Sequence, residues 1–118
     1  MEFDAPAVKA SFQEAVRDLG STQTEIAELA GITRQTLSAL LSGGRYQVTR
    51  EQRLMIQVCR RGLMVKAALL GRSDAELVKY TEAAVFGLPE VDPAIVVPEA
   101  RALAEQVRAQ RSQMRGAA

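Results

Sequence analysis

The chain has 118 residues, which suits one domain of ordinary size with a helical extension and excludes a large two-domain enzyme. Its residues are 47% hydrophobic and 25% charged, but no apolar stretch approaches the roughly 20 residues that span a bilayer, so we expect a soluble, cytoplasmic protein without a membrane segment. There is one cysteine, Cys59, and no histidine, which predicts a buried thiol, no metal site, no cofactor and no enzymatic activity.

The net charge of +1 conceals an uneven distribution along the chain. Residues 31–72 carry eight basic side chains and one acidic side chain, a net charge of +7, whereas residues 1–30 sum to −4 and residues 73–118 to −2. We call residues 31–72 the middle block. A positive block of this size is typical of a surface that meets a polyanion.

The first predicted elements are two helices separated by a glycine. The run Pro6–Leu19 has proline near a first helical position and apolar residues on one face, and Gly20 ends it. Thr22 and Glu25 then form a capping box, in which each side chain accepts a hydrogen bond from the other residue's backbone N–H. This box predicts a short helix from about Gln23 to Ala30.

Another short helix is predicted after a turn at Gly31. Thr33 is a suitable N-cap, and three leucines at helical spacing can face inward: Leu37, Leu40 and Leu41. The sequence Ser42-Gly43-Gly44 ends this helix, because glycine tolerates left-handed backbone angles. The small Ala27 permits the two short helices to cross closely, and the outer face of the second one is polar.

A longer helix is predicted in the rest of the middle block. Thr49 to Gln52 form a second capping box, which opens a helix that runs through Cys59. Gly62 is expected to break or kink it before residues 63–70, because a glycine inside a helix costs about 1 kcal/mol relative to alanine.

The C-terminal part contains two more predicted helices and a connector. Ser73 to Glu76 form a third capping box, for a helix through Val85. Three prolines between residues 87 and 98 predict an extended connector, and Pro98 is expected to start a terminal helix at residues 99–114. No period-two strand pattern occurs in the sequence.

Residues 22–60 resemble the helix-turn-helix repressors of two groups. The phage-repressor (Cro/C1-like) group is indicated by Thr22-Gln23 and by the pattern Ala27, Gly31, Leu37. The lactose-repressor-like group is indicated by residues 25–33, residues 35–38, and Val48-Thr49 with Arg53. The resemblance implies an all-α, lambda-repressor-like fold of five to seven helices, with a helix-turn-helix DNA-binding domain at residues 1–71 and a helical extension at residues 72–118.

In such proteins the second motif helix enters the major groove and reads base edges. Six residues are then predicted to face the bases: Thr33, Arg34, Gln35, Thr36, Ser38 and Ala39. Arg34 can donate two hydrogen bonds to guanine, and Gln35 can pair with adenine. Ala39 stands where many lactose-repressor-like proteins carry a base-reading arginine, which leaves that contact open. For Thr36 and Ser38 the alternative is a solvated helix residue.

Phosphate contacts are predicted at both ends of this helix. The residues are Thr22, Gln23, Gly44, Arg45, Tyr46, Gln47, Thr49, Arg50 and Arg53. For Arg50 and Arg53 the alternative is a solvated arginine at a helix start. Such contacts fix the register of a protein on DNA without reading sequence. Three further basic residues, Arg60, Arg61 and Lys66, lie farther along the chain, and we expect them to be solvated.

The terminal helix carries a predicted pairing seam. Its residues are Ala100, Leu103, Val107 and Met114, at intervals of three, four and seven. A homodimer could pack two such helices together, and packing onto the protein's own core accounts for the pattern equally well. Dimerisation would place two reading helices on a palindromic site.

The predicted function is that of a sequence-specific double-stranded DNA-binding transcriptional regulator, a repressor that acts as a homodimer on a palindromic operator. Regulation by a sugar is not expected, because nothing downstream of the motif is long enough for an effector domain. Two alternatives remain. One is an antitoxin-like or accessory autoregulator whose residues 73–118 bind a partner protein, and the other is a helical interaction protein that does not bind DNA.

Overall fold

A computed structural model describes residues 2–42, 45–47, 49–80 and 92–116, and for residues 2–5, 45–47, 51–55 and 115–116 it describes the backbone alone. These ranges contain six helices: α1 (Ala5–Asp18), α2 (Gln23–Ala30), α3 (Arg34–Leu40), α4 (Arg50–Leu69), α5 (Asp74–Lys79) and α6 (Pro93–Gly116). Two short strands, β1 (Glu2–Asp4) and β2 (Arg45–Gln47), form an antiparallel ribbon. The predicted all-α fold with a helical extension is confirmed.

The ribbon is the one element that the sequence did not predict. Its register pairs Glu2 with Gln47, Phe3 with Tyr46 and Asp4 with Arg45. Strands of three residues are too short for an alternating pattern to stand out from chance. The ribbon joins the start of the chain to the segment that follows α3, where several phosphate contacts are predicted.

Helix α1 buries the apolar face that the sequence predicts. The buried side chains are Val8, Phe12, Ala15, Val16 and Leu19. Gly20 ends the helix with a φ of +60°, a left-handed conformation that glycine adopts without steric cost.

Helices α2 and α3 begin and end at the predicted signals. Thr22 accepts a hydrogen bond from the backbone N–H of Glu25 at 3.1 Å, and Gly31 closes α2 with a φ of +76°. Thr33 caps α3 by accepting from the N–H of Thr36, also at 3.1 Å. These caps set where each short helix starts, and so they determine which side chains share a face.

Helix α4 runs without a break for 20 residues, so the predicted interruption at Gly62 is wrong. A Cβ at this position would lie 2.8 Å from the carbonyl oxygen of Ile26 and 3.1 Å from the Cβ of Ala30. Gly62 therefore allows α2 to approach the α4 backbone closely. The close packing of α2 on α4 offsets the free-energy cost of a glycine inside a helix.

Ser73 caps α5 as predicted, accepting from the N–H of Glu76 at 3.3 Å. Helix α5 ends before the buried Tyr80, and the predicted continuation to Val85 lies outside the described residues, as does most of the predicted connector. The start of α6 corrects the sequence prediction, because Pro98 lies inside the helix rather than at its beginning. Asp92 accepts from the N–H of Ala94 at 2.9 Å and supplies the earlier start.

One hydrophobic core joins the six helices. It includes residues on both sides of the predicted domain boundary at residue 71, and from the C-terminal side they are Leu77, Tyr80, Val97, Ala100 and Ala104. Burial of three of these on α6 holds the helix together across Pro98. None of the helices in the described ranges is both long and apolar enough to cross a membrane.

Candidate nucleic-acid interface

Helix α3 divides sharply into a buried and an exposed side. Leu37 and Leu40 point into the core, at 0% and 7% exposure. The exposed side carries four of the predicted base-reading residues, and we call these four the reading face: Arg34, Gln35, Ser38 and Ala39. The helical period produces this division, because residues three apart share one side of the helix.

The remaining two predicted base-reading residues have a local structural role. The hydroxyl of Thr33 accepts from the N–H of Thr36 and lies 2.9 Å from the hydroxyl of Thr36. Thr33 is exposed and Thr36 is half-buried. Both hydroxyls therefore stabilise the first turn of α3, and their contact with bases stays a prediction.

A hydrogen bond joins the start of α2 to the reading face. Gln23 donates through Nε2 to the hydroxyl oxygen of Ser38 at 3.2 Å. The sequence assigned Gln23 to phosphate and Ser38 to bases, but it gave no sign that they touch. This bond links α2 and α3 at the exposed surface of the pair.

Gln23 also lines a shallow cleft of about 280 Å³ between α1 and α2. Phe12 and Val16 form its apolar lining, and Gln13 and Arg17 complete it. Sequence reasoning did not single out Gln13 or Arg17. The sequence feature that could have drawn attention to Arg17 is its place as a basic residue in the last turn of α1.

The predicted phosphate-contacting residues lie around the two ends of the motif. Thr22 is exposed at the start of α2, and Thr49 and Arg50 are exposed at the start of α4. The side chains of Arg45, Tyr46, Gln47 and Arg53 and the whole of Gly44 lie outside the described residues, although the backbone of residues 45–47 forms β2.

Five of the described basic side chains of the middle block fall into two groups. Arg34 and Arg50 are exposed and form no ion pair with any described residue. The other group is used within the protein. Lys66 pairs with Glu25 at 2.8 Å, Arg61 with Glu99 at 2.7 Å, and Arg72 with Glu76 at 2.9 Å.

The prediction that Arg60 is solvated is wrong. It is 1% exposed, and burial lowers the pKa of its guanidinium. Lys66 is also largely buried, at 14% exposure of its side chain. Of the described basic residues from 60 to 72, Arg60 is therefore buried and the other three are ion-paired, whereas Arg34 and Arg50 are exposed without an ion pair to a described residue.

Glu25 connects three helices through its carboxylate. Burial alone would raise the pKa of this group, but hydrogen bonds from Lys66 and Ser21 and the charges of Lys66 and Arg111 outweigh burial and lower the pKa. The carboxylate therefore stays ionised. It does not complete the predicted capping box with Thr22, because the charged Lys66 is a stronger partner than a backbone N–H.

The predicted pairing seam on α6 is largely covered by the protein itself. Ala100 is fully buried, and Leu103 and Val107 are half-buried against the core. Met114 is 75% exposed. Packing onto the core therefore accounts for Ala100, and only the last turns of the helix present this stripe to a partner.

Cys59 lies in the core at 2% exposure, and burial raises the pKa of its thiol to about 12. A thiol that stays protonated at neutral pH is a poor nucleophile. Within the described ranges, no group of three or more carboxylate or thiol side chains could hold a metal ion.

Comparison with known proteins agrees with this geometry. A family model described as helix-turn-helix matches residues 13–52, from the middle of α1 to the first turn of α4. This is about a third of the chain, and the likeness to the lactose-repressor group is not part of the match. No curated protein and no solved structure matches the chain. Residues 13–52 are therefore similar to helix-turn-helix domains of the phage-repressor (Cro/C1) type, which are DNA-binding domains.

Proposed function

We propose that this protein is a sequence-specific regulator of transcription that represses by binding duplex DNA as a dimer on a palindromic operator. The observation that carries the proposal is the reading face of α3. Its polar side chains are exposed, while Leu37 and Leu40 anchor the helix in the core. A short helix held in this way can enter a major groove without rearrangement.

Recognition of a DNA sequence would depend on the first turn of α3. The guanidinium of Arg34 can donate to both acceptors of guanine, and the amide of Gln35 can pair with adenine. Each bidentate contact contributes about 1–3 kcal/mol of discrimination between bases. Ala39 has only a methyl group to offer, so it fits an apolar contact with a thymine methyl group.

Backbone contacts flank the reading face on two sides. Thr22 lies at the start of α2, and Thr49 and Arg50 lie at the start of α4. These side chains would hold the protein in register through phosphate oxygens. Because phosphate contacts release counterions, affinity should fall steeply as salt is raised.

The small size of the reading face favours a dimer. One α3 covers few base pairs, and two copies on half-sites about one helical turn apart would supply the missing affinity. The partly exposed stripe of α6 that ends at Met114 is the candidate contact between the copies. A dimer that covers two successive grooves would repress by blocking access of the polymerase.

The test is selection of bound duplexes from a random pool, followed by sizing of the protein–DNA complex. We expect an enriched site with two inverted half-sites and a complex that contains two protein copies. An enriched site without symmetry, bound by one copy, would contradict the dimer but not DNA reading. A pool that stays random after selection would contradict sequence-specific binding.

A further inference from the structure

The side of α6 that covers the core is apolar at first and becomes basic toward the C-terminus. Val97, Ala100 and Ala104 are buried, and the same helical stripe continues at Arg108 and Arg111. Arg108 donates to the carbonyl oxygens of residues 68 and 69 at 2.9 and 3.3 Å, so it anchors α6 to the end of α4. Arg111 lies one turn beyond that anchor.

Arg111 brings a positive charge to the first turn of α2. Its Nη2 lies 3.9 Å from the Oε2 of Glu25, and its side chain is 51% exposed. The carboxylate of Glu25 already holds Lys66 at 2.8 Å and accepts a hydrogen bond from Ser21. Two positive charges therefore face one negative charge, and the guanidinium of Arg111 has donors left to offer.

The exposed end of α6 presents polar and basic side chains that suit a polyanion, at the border of the apolar stripe proposed for the dimer. Every residue from 108 to 114 is exposed, and this segment contains only two apolar residues, Ala109 and Met114. Of its two arginines, Arg108 is ion-paired with Glu105, so Arg111 is the one that has charge to offer. Val107 and Met114 stand four residues before and three residues after Arg111, so the apolar stripe of Leu103, Val107 and Met114 borders Arg111 and lies away from Arg108.

We propose that the last turns of α6 are a second DNA-contacting element, in which Arg111 binds a backbone phosphate beside the first turn of α2. The inference rests on the proposed function, because it needs DNA on the reading face. The two sites lie at the same end of α2, on different sides of that helix. Gln23 in the first turn of α2 is bonded to Ser38 on the reading face, and Glu25 in the same turn lies beside Arg111.

The test compares the full chain with Arg111→Gln and Arg111→Lys. Binding to a random-sequence duplex of about four helical turns is measured over a series of salt concentrations. Loss of one phosphate contact should reduce the slope of log K against log salt by about 0.9 for each copy bound. At 0.1 M salt this corresponds to about eightfold weaker binding. The lysine variant keeps the charge and should keep the slope.

Two further variants separate a contact from an indirect effect. Gln110→Ala changes an exposed side chain in the same turn and should leave the slope unchanged. Ser112→Glu adds a negative charge to the exposed end without touching Glu25, and it should weaken binding by repelling the backbone. Melting curves of all variants are needed to check that they remain folded at the temperature of measurement.

The outcomes distinguish this proposal from the proposed function. If Arg111→Gln and Ser112→Glu both bind like the parent, α6 does not contact DNA, and the reading face alone carries the binding. If Arg111→Gln changes the number of protein copies in solution but not the salt slope, the end of α6 is a protein interface and the inference is wrong. If the parent itself does not bind duplex DNA, the proposed function fails first.

Discussion

The two groups of basic residues in the middle block differ in where their charge goes. Arg34 and Arg50 are exposed beside the start of α3 and α4 and form no ion pair within the described part of the chain. Lys66, Arg61 and Arg72 lie farther along, and each is paired with a carboxylate. In the sequence both groups look alike, as parts of one +7 block.

The difference shows that net charge along a chain does not locate a nucleic-acid surface by itself. A basic residue that neutralises a carboxylate in its own protein exerts little further electrostatic attraction on a polyanion. Exposure without an internal partner is the better criterion. It predicts that substitutions in the first group change DNA binding and leave stability unchanged, and that substitutions in the second group do the reverse.

The largest expected effect comes from the double substitution Arg34→Ala with Gln35→Ala. Both side chains are exposed on α3, so the free energy of unfolding should change little. Loss of two bidentate contacts should weaken binding to the selected site by about 2–6 kcal/mol per copy. Titration of the selected duplex, with a scrambled duplex of the same length beside it, measures this loss.

Arg61→Ala is the matched control, because it removes one exposed arginine from the neighbouring helix. Its affinity for the selected duplex should stay close to that of the parent. Equal losses for the control and the double variant would mean that overall charge, and not base contact, accounts for binding.

Local signals in the sequence predicted the motif well, because they act over a few residues. The caps at Thr22, Thr33 and Ser73 and the turn at Gly31 all lie where the sequence placed them. A hydroxyl that satisfies a backbone N–H three residues later needs no information from the rest of the fold. The exposed side of α3 followed from the same reasoning.

The errors came from interactions between residues far apart in the chain. Gly62 was predicted to break a helix, and this was wrong because its close contact with Ile26 cannot be predicted from local sequence. Pro98 was predicted to start a helix, and this was wrong because burial of Val97 and Ala100 stabilises α6 on both sides of the proline. The burial of Arg60 and the partner of Lys66 were missed for the same reason.

The next largest effect is expected for Lys66→Met. Lys66 and Glu25 are 14% and 29% exposed, so the substitution leaves a mostly buried carboxylate without its nearest cation. The protein should lose about 1–3 kcal/mol of stability, the usual cost of an unsatisfied buried group. Urea unfolding measures the loss, and Lys66→Arg should recover part of it. Unchanged stability would mean that Arg111 or water replaces the lysine.

A smaller effect is expected in the dependence of stability on pH. The folded protein holds the pKa of Glu25 below its ordinary value, so the folded state binds fewer protons than the unfolded state in the acid range. The resulting stability is fully present above the ordinary pKa and is lost as pH falls through the lowered pKa.

Glu25→Gln should therefore flatten the acid side of a plot of unfolding free energy against pH. Glu28→Gln is the control, since it removes an exposed carboxylate from the same helix. Urea unfolding at a series of acid pH values provides the plot. A slope that stays as steep in Glu25→Gln as in the parent would show that other carboxylates govern acid unfolding.

The smallest effect tests the boundary between the two groups of basic residues. Arg61 pairs with Glu99 at 2.7 Å, but the two side chains are 41% and 44% exposed, so water screens the pair. Arg61→Ala should reduce stability by no more than about 0.5 kcal/mol. Glu99→Ala should have a similar effect on urea unfolding, because both variants remove the same pair. If Arg61→Ala weakens DNA binding while Glu99→Ala strengthens it, the pair competes with DNA for Arg61, and this arginine belongs with Arg34 and Arg50.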